Sequence, residues 1–300
     1  MELKSAMKSF LGFLAGTGKA AHTIRCYTID LVEFDEYLTT KVRPRFHLSN
    51  LEPRHLEGFQ AHLKRSGLKT NTRRRKLMTV RKFLTYLKKR KKISVDLAPR
   101  VIAPDRLERV PKTFSYELLV SRVAALPDTG EFEVRNRALL GTLIETACQV
   151  SELCRLRFRD FSLGVGRGPV VQIPGKAGRE LPLSPALFET VQKLFRTIAS
   201  RKSGAAIGDF VFNGHTRAGA FEGPITPRGI EVFVREFSRK ADLPGLTPRR
   251  IRQTRTLQWF REGKTQNEIQ KLLGLRTAYA FKVFQPLILA LPSISKEKTL

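Results

Sequence analysis

Residues 247–286 read TPRRIRQTRTLQWFREGKTQNEIQKLLGLRTAYAFKVFQP. The pattern predicts a helix around 248–262, a second over 265–273 and a shorter one near 279–284. Four arginines, Arg249, Arg250, Arg252 and Arg255, crowd the start of the first. Cations at a helix N-terminus oppose the macrodipole, so this placement points to an external anion, with phosphate as the expected partner. Trp259, Phe260 and Phe281 read as core or subunit contacts. No histidine follows His215, so the stretch has no imidazole for proton transfer.

The whole chain shares that bias. Its 300 residues carry 55 Lys+Arg against 27 Asp+Glu, a formal charge of +28. Folding does not require such an excess, and self-repulsion opposes it, so a polyanionic partner is implied. The 41% hydrophobic content is enough for one large domain or two ordinary ones. No phosphate-binding P-loop, dinucleotide fingerprint or H-E-x-x-H is present. His22, His47, His55, His62 and His215 are scattered, and Cys26, Cys148 and Cys154 lack metal-ligand spacing. No metal, no cofactor and no small-molecule substrate are therefore expected, and the cysteines read as reduced thiols of a cytoplasmic protein. No apolar run approaches a membrane span, and Phe10–Leu14 is too short an apolar segment for a signal peptide. Nothing in the sequence resembles a single-strand module with stacked aromatics, and the charge points to nucleic acid while leaving DNA and RNA both open.

Residues 1–93 read as a small helical domain. Leu3, Met7, Phe10, Leu11 and Leu14 keep a helical period, and a second amphipathic helix follows with Thr23 as its expected N-cap. Pro53 opens a third, and Thr70 or Thr72 is the expected cap of a fourth. On that last helix Leu77, Val80, Phe83, Leu84 and Leu87 form the apolar side. Arg73, Arg74, Arg75, Lys76, Arg81 and Lys82 fill the remainder, which suits a face turned to phosphates. Residues 94–113, with Pro99, Pro104 and Pro111, read as a linker, and 114–300 as a second, mixed domain. There, 169–174 and 180–183 read as short strands around the turn Gly175-Lys176-Ala177-Gly178.

The C-terminal stretch resembles that of the tyrosine recombinases, the phage integrase and Xer family, whose pattern runs T-P-H-x-L-R-H-T, then L-L-G-H, then a tyrosine. Thr247-Pro248, Arg252 and Leu272-Leu273-Gly274 match it. Residues 135–153, RNRALLGTLIETACQVSEL, are similar to the family's R-D-R-A-L-L…A-T-G-L-R-V-S-E-L, and Gly175–Leu183 to its lysine-bearing β-turn, about two residues shorter here. Thr23-Ile24-Arg25 and the Arg-rich last helix resemble its core-binding domain.

The resemblance implies a mainly α fold with a small β-sheet: a two-domain clamp pairing an N-terminal helical core-binding domain with a mixed α/β catalytic-type domain. In that family a tyrosine attacks a DNA phosphodiester while two arginines, a lysine and histidine-type donors stabilise the phosphorane. Aligned here, the first arginine is Gln149, the lysine is kept as Lys176, and the histidine is Arg249. The second arginine is kept as Arg252, the later histidine or tryptophan is Leu275, and the tyrosine is Phe284. Phe284 has no hydroxyl, so covalent catalysis at that position is impossible. Gln149 donates hydrogen bonds without charge. Lys176, Arg249, Arg250, Arg252 and Arg255 remain as DNA-binding candidates.

The expectation is a catalytically silent, nucleoid-associated duplex-DNA binder with a regulatory, architectural or mobile-element maintenance role. The alternatives are a non-catalytic subunit that assembles with an active recombinase, or a homo-oligomer, through residues 278–300, and an active enzyme using Tyr279. Five residues of helix between Tyr279 and Phe284 turn their side chains well over a hundred degrees apart.

Overall fold

A computed structural model describes residues 1–164, 166–175, 178–201, 210–214 and 223–291. The chain divides into two compact units, Met1–Glu108 and Arg109–Leu300. The architecture is mainly helical with one small antiparallel sheet. Among the described residues no helix is long and apolar enough to cross a membrane.

The first unit is built from α1 (Leu3–Gly16), α2 (Ala21–Lys41), α3 (Pro53–Arg65) and α4 (Thr70–Lys89). Each buries one stripe at helical period: Phe10 and Leu14 from α1, Leu31, Phe34 and Leu38 from α2, Phe59 and Leu63 from α3, Val80, Phe83 and Leu87 from α4. Pro53 opens α3, where its missing N–H is no loss. The expected threonine caps are not used. The α2 cap position is Ala20 and that of α4 is Lys69, neither with a capping side chain. Leu97, Ala98 and Val101, from the proline-rich stretch 94–113, are buried in this same core.

The cations of α4 do not all face outward. Arg75 donates to both carboxylate oxygens of the fully buried Asp30, at 2.6 and 2.5 Å, and Thr79 Oγ1 donates to the same group at 2.9 Å. Lys76, itself buried, pairs with Glu33. Arg74 donates to the Pro104 carbonyl at 2.6 Å, and Arg73 to Thr70 Oγ1 at 3.3 Å. A buried carboxylate needs a paired cation, and α2 supplies two acids opposite the first half of α4. Four of the six cations expected on an outward face are therefore bonded to partners within the unit, Lys82 is exposed yet donates to the Tyr27 hydroxyl, and Arg81 is exposed.

The second unit begins with α5 (Tyr116–Ala124), capped by Ser115, whose Oγ accepts from the Leu118 N–H at 3.2 Å. The buried α6 (Glu131–Thr146) follows and stops at Ala147, whose φ of 49° and ψ of 28° place a non-glycine residue in the left-handed region. One turn, α7 (Val150–Leu153), leads to β1 (Phe161–Gly164), β2 (Gly168–Ile173) and β3 (Arg179–Pro182), ordered β1-β2-β3 and antiparallel throughout. β1 is a strand that the sequence reading did not anticipate. Next come α8 (Pro185–Arg201), α9 (Pro227–Lys240), α10 (Pro248–Arg261) and α11 (Gln266–Leu272). A 3-10 helix (Ala278–Phe284) and a short α12 (Gln285–Leu289) close the described chain. One core joins α6, α8 and the sheet. A smaller one gathers Ala147, Leu257, Trp259, Ile269, Leu273, Phe281 and Phe284.

A buried ion pair ties these parts together. Arg179 of β3 grips Glu152 of α7 with two bonds, 2.8 and 3.0 Å, and its Nε donates to the Leu272 carbonyl at 2.6 Å. Burial alone would raise the Glu152 pKa. The Arg179 hydrogen bonds, the Gln149 N–H and the charges of Arg179 and Arg252 outweigh it and hold the carboxyl below its ordinary value. A lowered folded pKa contributes stability that is complete above the unfolded value near 4.5 and disappears as pH falls through the folded one. Arg179→Met, which leaves a buried carboxylate unpaired, is expected to lower unfolding stability at neutral pH by about 3 kcal/mol in urea titrations of the full chain. That deficit shrinks below pH 4.5. A deficit independent of pH would show that the pair is not its source.

Candidate phosphate cleft

Thr247 caps α10 by accepting from the Arg250 N–H at 3.2 Å, with Pro248 in the first turn. This start fixes where the four arginines point, and they part company. Arg250 turns back along the chain, donating to the carbonyls of Lys112 (2.9 Å), Pro244 (3.2 Å) and Gly245 (2.8 Å), with its guanidinium 4.2 Å from the Phe114 ring centroid. Arg255 donates to the Glu145 carbonyl at 3.2 Å, pairs with Glu262 at 2.7 Å and stacks on Tyr116 and Trp259. Both are thus structural ties rather than open cations. Arg249 is exposed, and no described residue pairs with it.

Arg252 is intermediate. Its Nη1 donates to the Ala147 carbonyl and its Nη2 to the Leu273 carbonyl at 2.9 Å. Burial lowers its pKa, and the Glu152 charge opposes the shift. Beside it, Gln149 begins α7, with its N–H donating to Glu152 Oε2 at 2.7 Å and its residue exposed to solvent.

These groups share one cleft of about 420 Å³, lined by Gln149, Arg249 and Arg252 from the predicted set, by the capping Thr247, and by Glu231 and Arg235 of α9. Sequence reasoning missed the last two. Nothing in their local sequence marks them beyond an i, i+4 acid–base pair on an amphipathic helix. Glu231 lies 3.3 Å from Arg228. Lys176 lies outside the described residues, and β2 and β3 stand on either side of it.

The remaining family positions are elsewhere. Gly274, at φ 62°, ends α11 in a Schellman motif: the Leu275 N–H donates to the Gln270 carbonyl and the Gly274 N–H to that of Lys271, both at 3.0 Å. A Cβ on Gly274 would also meet Arg179 Nη1 at 2.9 Å, so both backbone and neighbour require glycine. Leu275 then packs against the smaller core instead of lining the cleft. Phe284 is 6% exposed in that core, its ring centroid 6.5 Å from that of Phe260. Tyr279 is 55% exposed on the same 3-10 helix. At three residues per turn, five positions carry it about a third of a turn from Phe284, and it does not line the cleft. The arrangement can hold an anion. It presents no hydroxyl nucleophile at Phe284.

Comparison with known proteins gives a consistent result. The model of the phage integrase family matches residues 116–278, and that of the phage integrase N-terminal SAM-like domain matches residues 7–91. Tyrosine recombinase XerC of Staphylococcus carnosus is 26% identical over 259 residues, covering 84% of this chain and 82% of the relative. XerC of Xanthomonas axonopodis pv. citri is 27% identical over 281 residues, covering 90% and 88%. Among solved structures, XerH site-specific recombinase bound to its difH substrate aligns with a TM-score of 0.67 at 17% identity, covering 87% of this chain and 75% of that one. A lambda integrase dimer bound to a COC′ core site aligns at 0.66 and 14% identity, covering 95% and 77%. With both of its domains matched, the chain belongs to the phage integrase family, the family of the tyrosine recombinases.

Proposed function

We propose that this chain binds duplex DNA through phosphate contacts in the cleft of Gln149, Arg249 and Arg252 and does not cleave it. One contrast carries the reading: three family positions still converge on one cleft, while the nucleophile position, Phe284, is a hydrocarbon ring inside a core. Arg249 supplies a free guanidinium of the kind that binds phosphate bidentately. Arg252 reaches the same cleft, and Gln149 adds neutral donors. Lys176 completes the set by its place in the family pattern. In the first unit, the exposed Arg81 of α4 is the cation of the predicted set offered for backbone contacts. The DNA-bound state of the structural relatives supports the same class of partner. In this reading the protein is a nucleoid-associated regulatory or architectural factor, or one that maintains a mobile element.

A second reading, an inactive subunit of a recombinase assembly or a homo-oligomer, draws on the end of α12. Phe281 and Phe284 fold back into their own unit, but Leu289 is 81% exposed just before residues 292–300, which lie outside the described residues. Sedimentation with and without a related active recombinase separates the two.

With nicked suicide duplexes, the protein is expected to retard DNA on native gels, with affinity falling linearly in log salt, and to leave no covalent adduct on denaturing gels. An adduct would overturn the proposal, and its loss in Tyr279→Phe would identify the nucleophile. Arg249→Ala should weaken duplex binding about tenfold and reduce the salt slope by about one, uniformly across sequences. Arg255→Ala should instead lower the melting temperature and leave the slope unchanged. An unaltered slope in Arg249→Ala would remove this cleft from the interface.

A further inference from the structure

The first unit holds a cavity of about 530 Å³ between the end of α1, the start of α2 and the second half of α4. Aromatic rings make its floor. Phe13 is 42% exposed, and its ring centroid lies 5.2 Å from that of Tyr86, with the planes 34° apart. The Arg90 guanidinium lies 5.5 Å from the Phe13 centroid and 5.8 Å from that of Tyr86. On the opposite side Lys82 sits 5.3 Å over the Tyr27 ring and donates to its hydroxyl at 2.7 Å. Lys89 joins the rim, and among the described residues no acidic side chain lines the cavity.

Cations in the last turn of α4 also complement its dipole. The dipole gives no reason for a phenyl ring to stand open beneath them. Exposed rings and guanidinium planes bounded by cations form a surface on which bases stack while phosphates are neutralised. The volume falls in the range of pockets that enclose a small ligand, such as one base with its sugar. A base stacked in a duplex hides both faces, so this surface discriminates for an unpaired one.

We infer that the Phe13–Tyr86–Arg90 cavity is a second nucleic-acid site, which takes an unpaired nucleotide of a DNA strand. Its base stacks on Phe13 and Arg90, and its phosphate lies against Lys82 and Lys89. This proposal departs from the expectation drawn from the sequence, in which no stacking module for single strands was recognised. The site is separate from the duplex contacts of the Gln149–Arg249 cleft and stands or falls without them.

The test uses the full chain with a fluorescein-labelled oligothymidylate of about 12 nucleotides, within the usual span of one stacking groove, and a blunt duplex as control. Phe13→Ala should weaken oligothymidylate binding about tenfold, as expected for one lost stack, and leave blunt-duplex affinity within about twofold. Because Phe13 is partly exposed, the melting temperature of the variant should stay close to that of the parent. Phe13→Trp should retain affinity, and its emission should fall as oligothymidylate is added, against the constant background of the buried Trp259. Single-strand affinity unchanged in Phe13→Ala, a parallel loss on blunt duplex, or absent quenching would overturn the inference. So would thymidine monophosphate binding as tightly as the oligonucleotide, which would make the ligand a free nucleotide.

Discussion

Two consecutive backbone carbonyls at the end of α11, those of Leu272 and Leu273, are held by two different arginines, Arg179 from the sheet and Arg252 from α10. The rest of the second unit's architecture depends on that grip. Arg179 also closes on Glu152, which in turn receives the Gln149 N–H. One connected network thereby sets the start of α7, the edge of β3 and the direction in which the chain leaves α11. Helix-terminal carbonyls have no partners within the helix, so a guanidinium is an effective organiser there. The cleft inherits its shape from this network.

Much of this was legible in the sequence where a single element carries the signal. The helices declared themselves by period, Pro53 marked a start, and the L-L-G run marked an end that Gly274 terminates for identifiable reasons. Features that depend on a neighbour were less legible. The cations of α4 read as one outward face because periodicity locates a face without saying what opposes it, and Asp30 and Glu33 lie some forty-five residues earlier in sequence. The arginines at the start of α10 look alike in sequence, yet Arg250 and Arg255 find carbonyls while Arg249 does not. β1 was missed because four residues ending in glycine give too short an alternation to count. The cavity lined by Phe13, Tyr27 and Tyr86 was invisible because its rings come from three helices.

The losses at the family positions differ in kind. Gln149 remains at the cleft as a weaker version of the charged donor in the family pattern. Leu275 and Phe284 have been absorbed into apolar packing, Leu275 after the Schellman turn and Phe284 in the smaller core. A phenyl ring at position 284 carries no polar atom to satisfy inside that core. The cleft positions and position 284 therefore differ in surroundings as well as in residue type.

Ala147 stands where the family pattern has glycine, and its left-handed backbone carries a penalty of about 1–2 kcal/mol for a residue with a Cβ. Its carbonyl is the one that Arg252 holds. The corner that closes α6 thus joins a costly backbone conformation to a cleft-lining guanidinium. A residue without a Cβ would adopt this backbone at no steric cost, so the bend is kept here against the conformational preference of alanine.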